Sequence, residues 1–85
     1  MTSVDYRRLR TLTARQIISA LERDGFQFDR SKGSHHHYLH ADRRRVTVVY
    51  KHPGNTFSIG TLRSMIEEQA HWTQSDLIRV KLLKD

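Results

Sequence analysis

A chain of 85 residues with no cysteine makes one small domain with a modest core, held by neither disulfides nor a thiolate zinc site. Fifteen lysines and arginines against nine carboxylates give a net charge of +6, which favours nucleic acid or an acidic protein as partner. No apolar run approaches the length of a membrane span and no signal-peptide pattern opens the chain, so a soluble cytoplasmic protein is expected.

Residues 1–12 carry Arg7, Arg8 and Arg10 without a clear period and are expected to form a basic, loosely attached or disordered arm, leaving residues 13–85 as the domain. Thr13 and Gln16 have the spacing of a capping box. Ala14, Ile17, Ile18 and Leu21 then fall on one helical face, and Gly25 suits a left-handed helix stop, which predicts a helix over 14–24. Phe26 to Asp29 alternates as a strand, with a turn expected at Ser31-Lys32-Gly33. A second strand is expected over 34–40, a polar turn over 41–44, and a third, β-branched strand over 45–50. Short connections make these an antiparallel meander. In the second strand His35, His37 and Leu39 share one face, and Ser34, His36, Tyr38 and His40 the other, with nothing to say which face meets the helices.

After loop chemistry at residues 52–56, Ser58 or Gly60 can start a helix whose stripe is Leu62, Met65, Ile66 and Gln69. Residues 70–72 break it, with Trp72 expected to pack between the C-terminal helices. Thr73 recaps, and Leu77, Ile78, Lys81 and Leu82 predict a short terminal helix. The expected class is α+β, in the α-β-β-β-α order of double-stranded-RNA-binding domains, with helices on one face of the sheet.

The chemistry concentrates in Gly33-Ser34-His35-His36-His37-Tyr38. Histidine exchanges protons near neutral pH, and these imidazoles stand among Arg30, Lys32, Arg43, Arg44 and Arg45, which suits acid–base work on an anionic substrate. Lys32, Ser34, Arg30, Arg43, Arg44, Arg45 and Lys51 are the candidate phosphate contacts, with His52 and Arg63 as weaker ones. For the arginine turn, a solvated loop explains the charges equally well. His35 and His37 could share a metal, but the cluster holds no cysteine or carboxylate to complete a site, and no cofactor is expected.

Three separated blocks resemble one family, the HicA toxins, which are small RNA-cleaving members of bacterial toxin–antitoxin pairs. Leu21 to Phe26 resembles the family's helix end and Asp-Gly-aromatic step, Lys32 to His36 its Lys-Gly-Ser-His-His run, and Gly60 to Ile66 its Gly-Thr-Leu-Arg-Ser helix start. The chain departs from the pattern near Val49, where members often carry proline, and at Ile59, where a proline often precedes Gly-Thr. The resemblance implies an endoribonuclease acting on mRNA, with the first histidine after Gly-Ser, His35, as the catalytic residue. It also implies a HicB-type antitoxin as protein partner, and a monomer when the antitoxin is absent. The second acid–base group stays open among His36, His37, Lys32 and Tyr38. The alternative is a non-catalytic RNA-binding module of the same fold, for which His35 would have no special use.

Overall fold

The computed structural model describes residues 4–84. A 3-10 turn (Tyr6–Arg8) precedes helix α1 (Ala14–Arg23). Strands β1 (Gln27–Lys32), β2 (His35–Leu39) and β3 (Arg45–Val49) follow. Helix α2 (Ile59–Arg63) continues into a wider π-helical segment (Ser64–Gln69), and helix α3 (Gln74–Arg79) comes last. The strands form one antiparallel sheet in the order β1-β2-β3, so the expected α+β architecture is present.

Helix α1 begins where its capping box places it. The Gln16 amide donates to Thr13 Oγ1 at 3.3 Å, and the Thr13 amide donates to Gln16 Oε1 at 2.8 Å. Two further free amides of the first turn, on Ala14 and Arg15, donate to the carbonyls of Asn55 and Pro53, which ties the loop after β3 onto the helix start. Ala14, Ile17, Ala20 and Leu21 form its buried face. Gly25, at φ +102°, turns the chain out of the helix, and a Cβ there would stand 3.0 Å from His40 Nε2. Any other residue is therefore disfavoured twice, by backbone strain and by a tight contact that His40 would have to relieve.

The sheet is longer on its first strand than the alternation implied. Ser31 and Lys32, expected in a turn, are strand residues paired with His36 and His35, and the turn is Gly33-Ser34 with Gly33 at φ +60°. The pairing register shifts between Phe28 and Arg30, so Asp29 is a bulge. That extra residue breaks the period-two pattern and hides the second half of the strand from a sequence reading. Tyr38, Val46 and Val48 are buried against Ile17, Leu21, Leu62, Met65 and Ile66. This face of the sheet meets the helices, and by alternation the face bearing His35, His37 and Leu39 does not.

Two other expectations change, for the N-terminal residues and for the last helix. Residues 4–12 are no loose arm: Tyr6, Leu9 and Leu12 are buried in the common core, and full burial of one leucine is worth about 1.5–3 kcal/mol. Residues 1–3 lie outside the described residues. Trp72 is buried against Phe26 at the end of α1, with ring centroids 6.4 Å apart. Helix α3 stops before Lys81, which is exposed at φ +67°, and Leu82 and Leu83 turn back onto the core through bonds to the Leu77 carbonyl.

Candidate functional site

Cross-strand register builds the open face of the sheet residue by residue. His35 lies opposite Lys32 on β1 and Val49 on β3, while His37 lies opposite Arg30 and Thr47. Directly opposed side chains stand about 4.5–5.5 Å apart at Cβ. His35 and His37, two residues apart on one strand, are separated by about 6.5 Å along it. The open face therefore gathers two imidazoles, a lysine and an arginine around one patch. His35, Lys32 and Arg30 are exposed. Arg30 makes only a loose ion pair with its neighbour Asp29, at 3.7 Å. His37 is held by Thr47, whose Oγ1 lies 2.9 Å from its Nδ1. Thr47 is held in turn, since its amide donates to Gln69 Oε1 at 2.8 Å.

The other groups considered for acid–base work separate cleanly. Tyr38 and His36 point to the helix side. The Tyr38 hydroxyl is pushed up in pKa, first by burial and then by Tyr50 and Glu22. His36 stacks on Tyr50, with ring centroids 4.0 Å apart and planes inclined by 21°. Of the four, only His37 and Lys32 share a face with His35.

The basic residues separate as well. Ser34 lies in the Gly33-Ser34 turn beside His35, and its carbonyl accepts from the Tyr50 amide at 3.0 Å. Lys51 follows at the same end of the sheet, exposed, its amide bound to Asn55 Oδ1. Arg45 shares the open face but lies opposite Leu39, roughly 13 Å along the strand from His35. Arg43 and Arg44 belong to the β2–β3 turn at that far end. Arg43 is exposed at φ +78°.

Arg44 is engaged within the fold rather than standing free on the surface. Its guanidinium pairs with Asp24 at 3.0 Å and Asp42 at 2.7 Å, donates to the Ala70 carbonyl at 2.6 Å, and covers the Phe26 ring at 4.9 Å. The hub of this network is Asp24, whose side chain is 6% exposed. It accepts from Trp72 Nε1 at 2.9 Å and pairs with Arg79 at 2.7 Å. Burial alone would raise the Asp24 carboxyl, but the bonds from Trp72 and Arg79 and the charge of Arg44 together lower it. The sequence held one clue to this hub: an aspartate at a helix C-terminus opposes the helix dipole and needs cations from elsewhere.

No three histidine, cysteine or carboxylate side chains converge as a metal-ligand group among the described residues. The His35–His37 patch is a pair of imidazoles among cations, groups that can move protons beside an anion. Against this geometry, the family model described as the HicA toxin of bacterial toxin–antitoxin systems matches residues 14–72. The chain belongs to the HicA toxin family. Comparison with curated proteins gives no match. The HicA match spans α1, the whole sheet and Trp72, so it includes the patch around His35 and three of the four residues of the Asp24 hub; Arg79 lies beyond it. A HicA toxin has an antitoxin as its partner, and the +6 charge of this one suits an acidic partner surface.

Proposed function

We propose that this HicA toxin is an endoribonuclease that cuts mRNA in the cytoplasm without a metal cofactor, and that a HicB-type antitoxin silences it by covering the open sheet face. The observation that carries the reading is the register that sets His35 beside Lys32 and two residues from His37, all on the face the helices leave bare. Cleavage of RNA by its own 2′-hydroxyl requires a base, an acid and nearby cations. His35 takes the proton of the 2′-hydroxyl as that oxygen bonds to the adjacent phosphorus. The bond from phosphorus to the 5′-oxygen breaks, and His37, oriented by Thr47, protonates the departing oxygen. Lys32 and Arg30 balance the charge that builds on the phosphate, and Ser34 and Lys51 extend the contact along the backbone. The products are a 2′,3′-cyclic phosphate and a 5′-hydroxyl.

The test is direct. Induced expression of the native chain should arrest bacterial growth, and His35→Ala, a change at an exposed strand position with little effect on folding, should relieve the arrest. The purified chain should cut RNA in excess EDTA, leaving the products above, and replacing the 2′-hydroxyl by hydrogen at the cleaved nucleotide should abolish the reaction. Undiminished toxicity of folded His35→Ala would refute the assignment. So would 5′-phosphate products.

A further inference from the structure

His36 and Tyr50 lie away from the face that bears His35, and they form a ring pair with an opening beside it. Their rings stack at 4.0 Å, and the Tyr50 amide is tied to the Ser34 carbonyl, so the pair is fixed against the turn that precedes His35. Both side chains are half-buried. A shallow, solvent-open depression of about 360 Å³ lies there, lined by Gly33, Ser34, His36, Tyr50 and Lys51. Gly33 has no atom within 4 Å of where its Cβ would stand, so a ligand can approach the backbone closely. The loop that follows is folded back by Asn55, which binds the amides of both Lys51 and His52 at 3.0 Å and so fixes the backbone beneath the exposed lysine.

We infer that this depression is a nucleobase subsite: the His36–Tyr50 pair stacks an unpaired base of the RNA next to the scissile phosphate, and Lys51 meets that nucleotide's phosphate. The inference rests on the endoribonuclease reading and extends it to single-stranded RNA as the substrate. Stacked aromatic rings beside a cation are the combination by which proteins hold splayed-out bases, with little dependence on base identity. The position fits because His35 and His36 are adjacent on β2 but face opposite sides of the sheet. A strand whose phosphate sits at His35 can therefore round the Gly33-Ser34 turn and lay its next base on the other side. The edge of a continuous duplex could not, since its bases are stacked on each other.

The test uses a short single-stranded RNA with every 2′-hydroxyl methylated, which blocks cleavage, and with adenines replaced by 2-aminopurine, whose fluorescence falls when it stacks. The native chain, Tyr50→Phe and His35→Ala should all bind it and quench it. Tyr50→Leu and His36→Leu, each of which keeps an apolar side chain in place of a ring, should lose the quenching and bind roughly 10-fold or more weakly. In cleavage of unmodified RNA their KM should rise more than kcat falls. Native quenching and affinity in either folded leucine variant would overturn the subsite while leaving RNA cleavage intact. Failure of the native chain to bind RNA at all would overturn both readings, whereas a Tyr50→Leu defect confined to antitoxin binding would overturn the subsite alone and make the pair a protein-docking surface.

Discussion

Asp24 shows how much a single side chain can hold in a domain this small. Its carboxylate joins the end of α1 to the β2–β3 turn through Arg44, to the segment after α2 through Trp72, and to α3 through Arg79. Hydrogen bonds to a charged group are worth about 1.5–3 kcal/mol each, and removing the charge leaves Arg44, which is 20% exposed, short of a partner. Asp24→Asn should therefore destabilise the fold by about 2–3 kcal/mol, seen as a lower urea midpoint at neutral pH. The pH dependence has a defined sign. The native carboxyl titrates below its ordinary value, so the unfolded chain binds the proton more readily. The stabilisation is complete above about pH 4, the unfolded value, and drains away as pH falls through the lower native one. Asp42 and Asp76 are lowered too, Asp42 by bonds and charge from Arg44 that outweigh its desolvation, and Asp76 chiefly by the Thr73 amide. Acid should thus destabilise both proteins, but the native chain more steeply. Parallel loss of stability in native and Asp24→Asn proteins would show that the hub carries no net ionic stabilisation.

At the scale of elements, the two edges of the sheet are treated differently. β1 is exposed along its whole length and is broken by the Asp29 bulge, which with its charged residues discourages pairing with another chain. β3 is closed by the π-helical segment: the wider winding brings Gln69 to the strand edge, where Oε1 accepts from Thr47 while Nε2 donates to Ser64 at 3.0 Å. Gln69→Leu keeps the bulk and removes the bond. The Thr47 amide should then exchange with solvent markedly faster than in the native chain, at a cost of about 1 kcal/mol in stability. Cleavage should fall as well, because Thr47 orients His37. Unchanged exchange at Thr47 would rule out the clamp. Helix starts were legible here because Thr13, Ser58 and Thr73 cap in the positions where capping chemistry demands them. The π-helical winding was not, since the stripe of Leu62, Met65, Ile66 and Gln69 is equally compatible with ordinary helical spacing. The second half of β1 was hidden for the related reason that one bulged residue reverses the alternation. The grouping of His35 with His37 followed from period two alone. The side of the sheet that stays bare needed the burial of Tyr38, Val46 and Val48, and the arginine turn needed the fold to set its members apart.

Across the whole molecule the cations that hold the structure, such as Arg44 and Arg79, differ from those exposed on the open sheet face, such as Lys32 and Arg30, and salt can tell the two groups apart. Each phosphate contact releases counterions, so the logarithm of RNA affinity should fall linearly with the logarithm of salt concentration, with a slope of about 0.7 per contact for a single strand. Lys32 and Arg30 are exposed on the face of His35. Lys32→Ala and Arg30→Ala should each weaken binding of a short single-stranded RNA and flatten the slope by about 0.7, with stability within about 0.5 kcal/mol of native. Arg45→Ala, farther along the same face, should flatten it less. Arg44→Ala should do the reverse: it removes a cation already matched by Asp24 and Asp42, so the fold should lose stability while the slope of the protein that remains folded is unchanged. The antitoxin proposed to cover the open sheet face would meet the same exposed cations, and the affinity of the toxin for it should then weaken with salt through Lys32 and Arg30 as well. A native RNA affinity insensitive to salt would remove the sheet face as the binding surface. An Arg44→Ala slope as flat as that of Lys32→Ala would show that Arg44 contacts phosphate in spite of its ion pairs.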